Sequence, residues 1–191
     1  EIHCELIMKG NSYTPFASIS DECLHNSITL NSPTKAFNIA GLQIANIISC
    51  DADVRRRIDR AININEICDV NPFGVVALQA AYNEGGEWLD SLNEYLYGNY
   101  TELLRFFRER MPAIGITRLE GTYLVWADIR STGMSSDELN RRLISEGHVM
   151  MNSGTMYGKT AGEGFLRINI ACPRSRMIEG LERMARVIEK L

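Results

Sequence analysis

Two residues of this chain combine a chemically useful side chain with a setting that makes it costly to place there. Lys35 lies in the run Ile28-Thr-Leu-Asn-Ser-Pro-Thr-Lys-Ala-Phe-Asn-Ile-Ala-Gly-Leu42, after a β-rich apolar stretch and a proline and before a small-residue turn. An amine at a crowded, apolar strand end is expensive unless its charge is paired or its pKa is lowered. A lowered pKa is what an amine needs to form a Schiff base with an aldehyde cofactor. A surface lysine on a strand-to-helix loop fits the same spacing. Arg167 sits within Phe165-Leu-Arg-Ile-Asn-Ile170. Burying its guanidinium demands an anionic partner, and its planar fork suits an α-carboxylate. A structural salt bridge meets that demand equally well.

The elements that must hold these residues can be read from periodicity. Glu1 to Met8 reads as a strand, Lys9 to Asp21 as a loop, and Ser27 to Asn31 as the strand leading to the lysine. Gly41 to Ser49 is a nearly continuous apolar run suited to a buried strand in a sheet covered on both faces. Asp51 is placed to cap a helix reaching about Asn63, with Arg55, Arg56, Arg57 and Arg60 on its solvated side.

Asn71-Pro72 breaks the chain, and Val75, Leu78, Ala81 and Tyr82 then recur at helical spacing. After Gly85-Gly86, Leu89, Leu92, Leu96, Tyr100, Leu103, Leu104 and Phe107 stripe a long helix from Glu87 to about Arg110, which Met111-Pro112 ends. Strands are expected over Ile114 to Leu119 and Thr122 to Ile129, and a capped helix from Ser135 to about Glu146. A short apolar segment spans His148 to Met151. A glycine-bearing loop follows from Asn152 to Gly164, then a strand from Phe165 to Ala171 and an amphipathic helix from Pro173 to Leu191.

Composition bounds the function. The 191 residues suit one large domain or two small ones, and 45% hydrophobic with 23% charged residues is ordinary for a globular protein. A net charge of −4 argues against a general nucleic-acid surface. No apolar run is long enough for a transmembrane helix, and Glu1-Ile-His-Cys4 is not a signal peptide, so no membrane partner is expected. Cys4, Cys23, Cys50, Cys68 and Cys172 are odd in number and lack a C-x-x-C pair. They read as reduced, buried thiols of an intracellular, cytoplasmic protein. His3, His25 and His148 lack clustered carboxylates, so no metal site is expected.

The segment Ser32-Pro-Thr-Lys-Ala-Phe-Asn-Ile-Ala-Gly-Leu-Gln43 resembles the cofactor-lysine motif of fold type I pyridoxal-phosphate enzymes in the class I/II aminotransferase family. The likeness is greatest to the C–S lyase branch, which includes the cystathionine β-lyases and cystalysin. Glu1-Ile-His-Cys-Glu-Leu6 resembles that branch's strand of pyridine-facing residues. Asn83-Glu-Gly-Gly-Glu-Trp-Leu89 resembles the start of its inter-domain helix, and Gly164-Phe-Leu-Arg-Ile-Asn-Ile-Ala-Cys-Pro173 its carboxylate-arginine strand. The similarity covers nearly the whole chain.

The resemblance implies an α/β fold: the C-terminal part of a large cofactor-binding domain with a mostly parallel sheet over residues 1–72, bridging helices over 73–111, and a small α+β domain over 112–191. It implies that the N-terminal half of such an enzyme would precede Glu1. That half would carry the phosphate loop, the ring-stacking aromatic residue and the pyridine Asp, so these residues alone are expected to be inactive or weakly active. Lys35 would bind pyridoxal 5'-phosphate and act as the catalytic base, Ser32 and Thr34 would offer hydroxyls to its phosphate, and His3 would lie near the ring. The alternative for Ser32 and Thr34 is local backbone bonding; for His3 it is packing, and Tyr123 is itself read as wall and core packing.

Arg167 would bind the substrate carboxylate. Many aminotransferases place an arginine eight residues after the lysine; Gln43 stands there instead, as the lyase branch allows. The implied reaction is α,β-elimination of cystathionine or related cysteine S-conjugates to thiol, pyruvate and ammonia, in a homodimer. A class I/II aminotransferase is the same-chemistry alternative, and a non-catalytic binding or regulatory module is the alternative of another class.

Overall fold

Four helix starts among the described residues are set by side chains that satisfy otherwise orphaned amides. In the computed structural model, which describes residues 1–67 and 69–191, Ser20 accepts the Cys23 amide to open α1 (Asp21–His25). Asp51 accepts the amides of Asp53 and Val54 to open α2 (Ala52–Asn63), and Arg55, Arg56, Arg57 and Arg60 are exposed on it as expected. Asn71 accepts the Phe73 amide ahead of α3 (Pro72–Glu84), whose first-turn proline lacks an amide that would have had no partner. Gly85 closes α3, and α4 runs from Gly86 to Arg110. Ser135 accepts the Glu138 amide to start α5 (Ser136–Gly147), and α6 follows as Arg174–Ile188.

The chain divides into two compact units, Glu1–Asn93 and Glu94–Leu191, with the division inside α4. In the first unit, β1 (Thr29–Asn31) pairs antiparallel with β2 (Asn46–Ile48), Leu30 opposite Ile47. The expected strand over Glu1 to Met8 is instead turns over Ile2 to Glu5 and a single β-bridge residue at Ile7; Cys4 N–H bonds the Glu1 carbonyl and Leu6 N–H that of His3. The expected buried strand over Gly41 to Ser49 is also corrected. A 3₁₀ turn occupies Ala40–Leu42, Gln43 takes φ 51°, and the strand that remains leaves Ile47 and Ile48 44% and 53% exposed. An apolar run states what a segment would bury, not whether a covering layer lies beside it. Among the described residues both sheets are antiparallel, so the mostly parallel sheet expected of the large domain is not formed by them.

The second unit is an antiparallel sheet in the order β3-β4-β6-β5, built from β3 (Gly115–Ile116), β4 (Leu124–Asp128), β5 (Asn152–Ser153) and β6 (Phe165–Asn169). Strand alternation sends Val125 and Ala127 of β4 and Leu166 and Ile168 of β6 into the core. Leu139 and Leu143 of α5 and Leu181 and Met184 of α6 are buried with them. Each such leucine contributes about 1.5–3 kcal/mol relative to exposure. Leu96, Leu103, Phe106 and Phe107 are the buried apolar residues of α4 in this unit, together with Tyr100. Asn99, fully buried on the same helix, donates to the carbonyls of Ile170 and Cys172 and so ties α4 to the exit of β6.

Cys4, Cys23 and Cys172 are half-buried free thiols and Cys50 is exposed, so the expectation of buried thiols does not hold for them; Cys68 lies outside the described residues. No helix among the described residues is long and apolar enough to cross a membrane.

Candidate active site

In the first unit the candidate lysine sits on a tight turn that follows β1. Phe37 N–H bonds the Pro33 carbonyl at 2.9 Å and Ile39 N–H the Thr34 carbonyl at 3.1 Å. The turn buries Ser32, Pro33, Thr34 and Ala36 and leaves Lys35 exposed between them. The crowded apolar setting expected for the amine is therefore corrected: its neighbours in sequence are buried, and the lysine projects away from them. Among the described residues the Lys35 amine makes no ion pair and no hydrogen bond.

The two hydroxyls beside it are spoken for locally. Ser32 Oγ donates to the Ile44 carbonyl at 2.6 Å, accepts the Thr34 amide at 3.2 Å and lies 2.9 Å from Thr34 Oγ1. Ser32 has one proton, and the short contact to Ile44 uses it. Thr34 keeps its own proton, to give to Ser32 Oγ or to an incoming acceptor. His3 is half-buried in the N-terminal turns, its carbonyl accepting the Leu6 amide.

The same unit contains a polar chain that composition did not disclose. Tyr82 Oη donates to Asn31 Oδ1 at 2.7 Å, and Asn31 Nδ2 approaches Cys4 Sγ at 3.8 Å. Burial pushes the Tyr82 phenol up to about 12. Burial, with the neighbouring Glu5 carboxylate, pushes the Cys4 thiol up to about 11. Phe37, two residues past the lysine, packs edge-on against Tyr82 with ring centroids 6.5 Å apart. Trp88 Nε1 donates to the Ala36 carbonyl at 3.2 Å, anchoring the lysine turn to α4.

In the second unit Arg167 occupies the centre of β6, opposite Trp126 of β4 and Asn152 of β5. Leu166 and Ile168 face the core, so alternation turns Arg167 to the other face. It is half-buried, and its guanidinium carbon lies 4.3 Å from the centroid of the Tyr157 ring. No carboxylate pairs with it among the described residues, so the structural salt bridge that its sequence setting allowed is not formed there. Tyr123 is half-buried just before β4; burial pushes its phenol up, and the nearby Arg167 charge opposes that rise. Asn169 Oδ1 accepts the Ala171 amide at 2.8 Å, a local role at the strand's end.

The residues around Arg167 that sequence reasoning did not assign are Tyr157, Asn152 and Trp126. Asn152 Nδ2 donates to Tyr157 Oη at 2.8 Å, and Trp126 meets the Tyr157 ring at 85° with centroids 5.5 Å apart. The signal was the glycine-bearing segment from Asn152 to Gly164, whose aromatic residue had no periodic role.

A family model described as aminotransferase class I and II matches residues 1–184. Cystathionine beta-lyase PatB of Bacillus subtilis (strain 168) is 39% identical over 96% of this chain and 47% of its own length. The structure of cystalysin from Treponema denticola, which contains a pyridoxal 5'-phosphate cofactor, superposes with a TM-score of 0.95 at 34% identity, over 100% of this chain and 48% of cystalysin. A PLP-bound protein of Clostridium difficile 630, named as an aminotransferase, gives a TM-score of 0.95 at 41% identity over 98% of this chain and 48% of its own. The chain thus spans about half the length of the relatives it matches.

Proposed function

The chain belongs to the aminotransferase class I and II family, and on that premise we propose that the enzyme containing it is a pyridoxal-phosphate-dependent carbon–sulfur lyase. Its reaction is α,β-elimination from cystathionine or related cysteine S-conjugates, releasing a thiol, the remaining three-carbon imine then taking up one water to give pyruvate and ammonia. The observation that carries this reading is the exposed Lys35 amine, unbonded among the described residues and directly following the buried Ser32 and Thr34 hydroxyls. An amine free of ion pairs can condense with a carbonyl; one locked to a carboxylate cannot do so without losing that partner. The unbonded Lys35 amine supports placing the cofactor there.

Lys35 would hold pyridoxal phosphate through its amine. Thr34, whose proton is uncommitted, and Ser32, after exchange of its Ile44 bond, would face the phosphate, with His3 near the ring. When bound, the cofactor supplies an electron sink for negative charge at the substrate Cα. Arg167 presents its planar fork to the α-carboxylate and fixes the substrate's orientation. Once the substrate amine has taken its place, the Lys35 amine is free to remove the α-proton. A thiolate on Cβ can then leave.

The enzyme is read as a cytoplasmic homodimer acting on a small amino-acid substrate, without a metal. An aminotransferase is the second reading, favoured by the name of the Clostridium difficile relative. The deciding experiment supplies the full-length enzyme with cystathionine, with and without a keto-acid acceptor. Pyruvate release that needs no acceptor supports the lyase; strict dependence on the acceptor sinks it.

A further inference from the structure

A guanidinium that must receive a carboxylate bidentately has to be held in one plane, because both N–H···O bonds lie in the plane of the fork. Arg167 extends from an edge-flanked strand, and side chains of this length otherwise sample many rotamers. Three contacts restrict it. Its guanidinium carbon lies 4.3 Å from the centroid of the Tyr157 ring, a contact with the π surface, and among the described residues no hydrogen bond occupies its N–H donors. Asn152 holds Tyr157 by its hydroxyl at 2.8 Å, and Asn152 is itself the register partner of Arg167 on β5. Trp126, the register partner on β4, meets the Tyr157 ring at 85° with centroids 5.5 Å apart.

The platform has a firm base. Ser153 and Thr155, between Asn152 and Tyr157, both donate to Asp137 Oδ1 on α5, at 2.5 Å and 2.7 Å. Paired residues of adjacent antiparallel strands share a sheet face. Asn152, Arg167 and Trp126 are therefore three neighbours in one row across the sheet, with Tyr157 laid over them.

We propose that Tyr157 is a positioning residue for substrate binding, its ring fixed by Asn152 and Trp126 so that the Arg167 fork is presented edge-on to the substrate α-carboxylate. This rests on the reading of Arg167 as the carboxylate ligand. The specificity that follows is for a free α-carboxylate over its neutral carboxamide, since only an anion engages both donors of the fork with full charge. The hydroxyl of Tyr157 serves to hold the ring and takes no part in proton transfer.

The test uses the full-length, cofactor-loaded enzyme and measures KM and kcat for one cysteine S-conjugate and for its carboxamide. Tyr157→Leu is expected to raise KM for the carboxylate substrate about tenfold, with kcat within about twofold and the carboxamide KM unchanged. Tyr157→Phe, which keeps the ring and its Trp126 contact but loses the Asn152 bond, should recover part of the loss. The Arg167→Ala/Tyr157→Leu double variant should be no worse than Arg167→Ala alone. If Arg167→Ala raises KM and Tyr157→Leu does not, or if Tyr157→Leu weakens both substrates equally, the positioning role is overturned while the reading of Arg167 stands. If Arg167→Ala leaves KM unchanged, the reading itself fails and the proposal with it.

Discussion

Gly154 and Gly162 press backbone to backbone: a Cβ built on either would overlap the other's carbonyl oxygen. The contact closes the loop that bears Tyr157, which lies between the two glycines. Gly154 is buried at the end of β5, and Gly162 is buried ahead of β6. Neither residue needs a positive φ; what each supplies is the missing methyl group.

Gly162→Ala must therefore push two backbone segments apart, with no flexible side chain to give way. We expect a loss of about 1–3 kcal/mol of stability, the usual scale of overpacking, read as a lower urea midpoint at unchanged m-value. Because the loop also bears Tyr157, substrate KM should rise in the same variant. An unchanged midpoint would show that the loop opens freely.

Ser136 is the second fastener of this region. Fully buried, its Oγ accepts the Gly164 amide at 2.8 Å and the Phe165 amide at 3.1 Å and donates to the Gly162 carbonyl at 3.3 Å. Ser136→Ala removes all three, but Gly164 N–H keeps Glu163 Oε1 at 3.1 Å and Phe165 N–H keeps the Gly162 carbonyl at 3.2 Å. The expected cost is therefore at the lower end of the buried hydrogen-bond range, about 1 kcal/mol. Thermal unfolding checks it; a cost of several kcal/mol would mean that the alternative bonds do not hold.

What the sequence disclosed follows from where its signals are local. Caps such as Asp51 and Ser135 act on amides two or three residues away, and the helices they open start where their types predict. The alternation through Leu124 to Asp128 and Phe165 to Asn169 likewise fixed which residues of the small sheet point inward. The run from Gly41 to Ser49 failed because its burial depends on a neighbour and not on itself. Lys35 was legible as a motif but not as an environment: the turn that exposes it is built from backbone bonds of Phe37 and Ile39, which leave no compositional trace. Tyr157 was missed because a lone aromatic in a loop has no period; only the strand register brings Asn152, Arg167 and Trp126 into one row beneath it.

Asp137 gives the loop a pH dependence with a defined sign. The hydroxyls of Ser153 and Thr155 hold its carboxyl below the ordinary aspartate range. A folded-state value below the unfolded one means that the carboxylate favours folding when ionised. Its contribution is present above about pH 4, the ordinary aspartate value, and is lost as pH falls through the depressed folded value. The stability difference between wild type and Asp137→Asn should thus be constant from pH 5 to 7 (roughly, given that reference value) and shrink below it. Urea midpoints across that range measure it; a difference that grows on acidification would reverse the assignment.

Lys35 allows structure and chemistry to be separated in one variant. Its side chain is exposed and unbonded among the described residues, so truncating it removes no packing and orphans no partner. Lys35→Ala in the full-length enzyme should leave the cofactor-free protein's stability within about 0.5 kcal/mol of wild type, as for other surface substitutions. The same change should abolish the near-visible absorbance that covalently held pyridoxal phosphate gives the wild type, together with pyruvate release. Retained absorbance with lost turnover would move the attachment point elsewhere and leave Lys35 only as the base. A large fall in cofactor-free stability would mean that the amine has a structural partner in the full-length enzyme, and the argument from its freedom would fail.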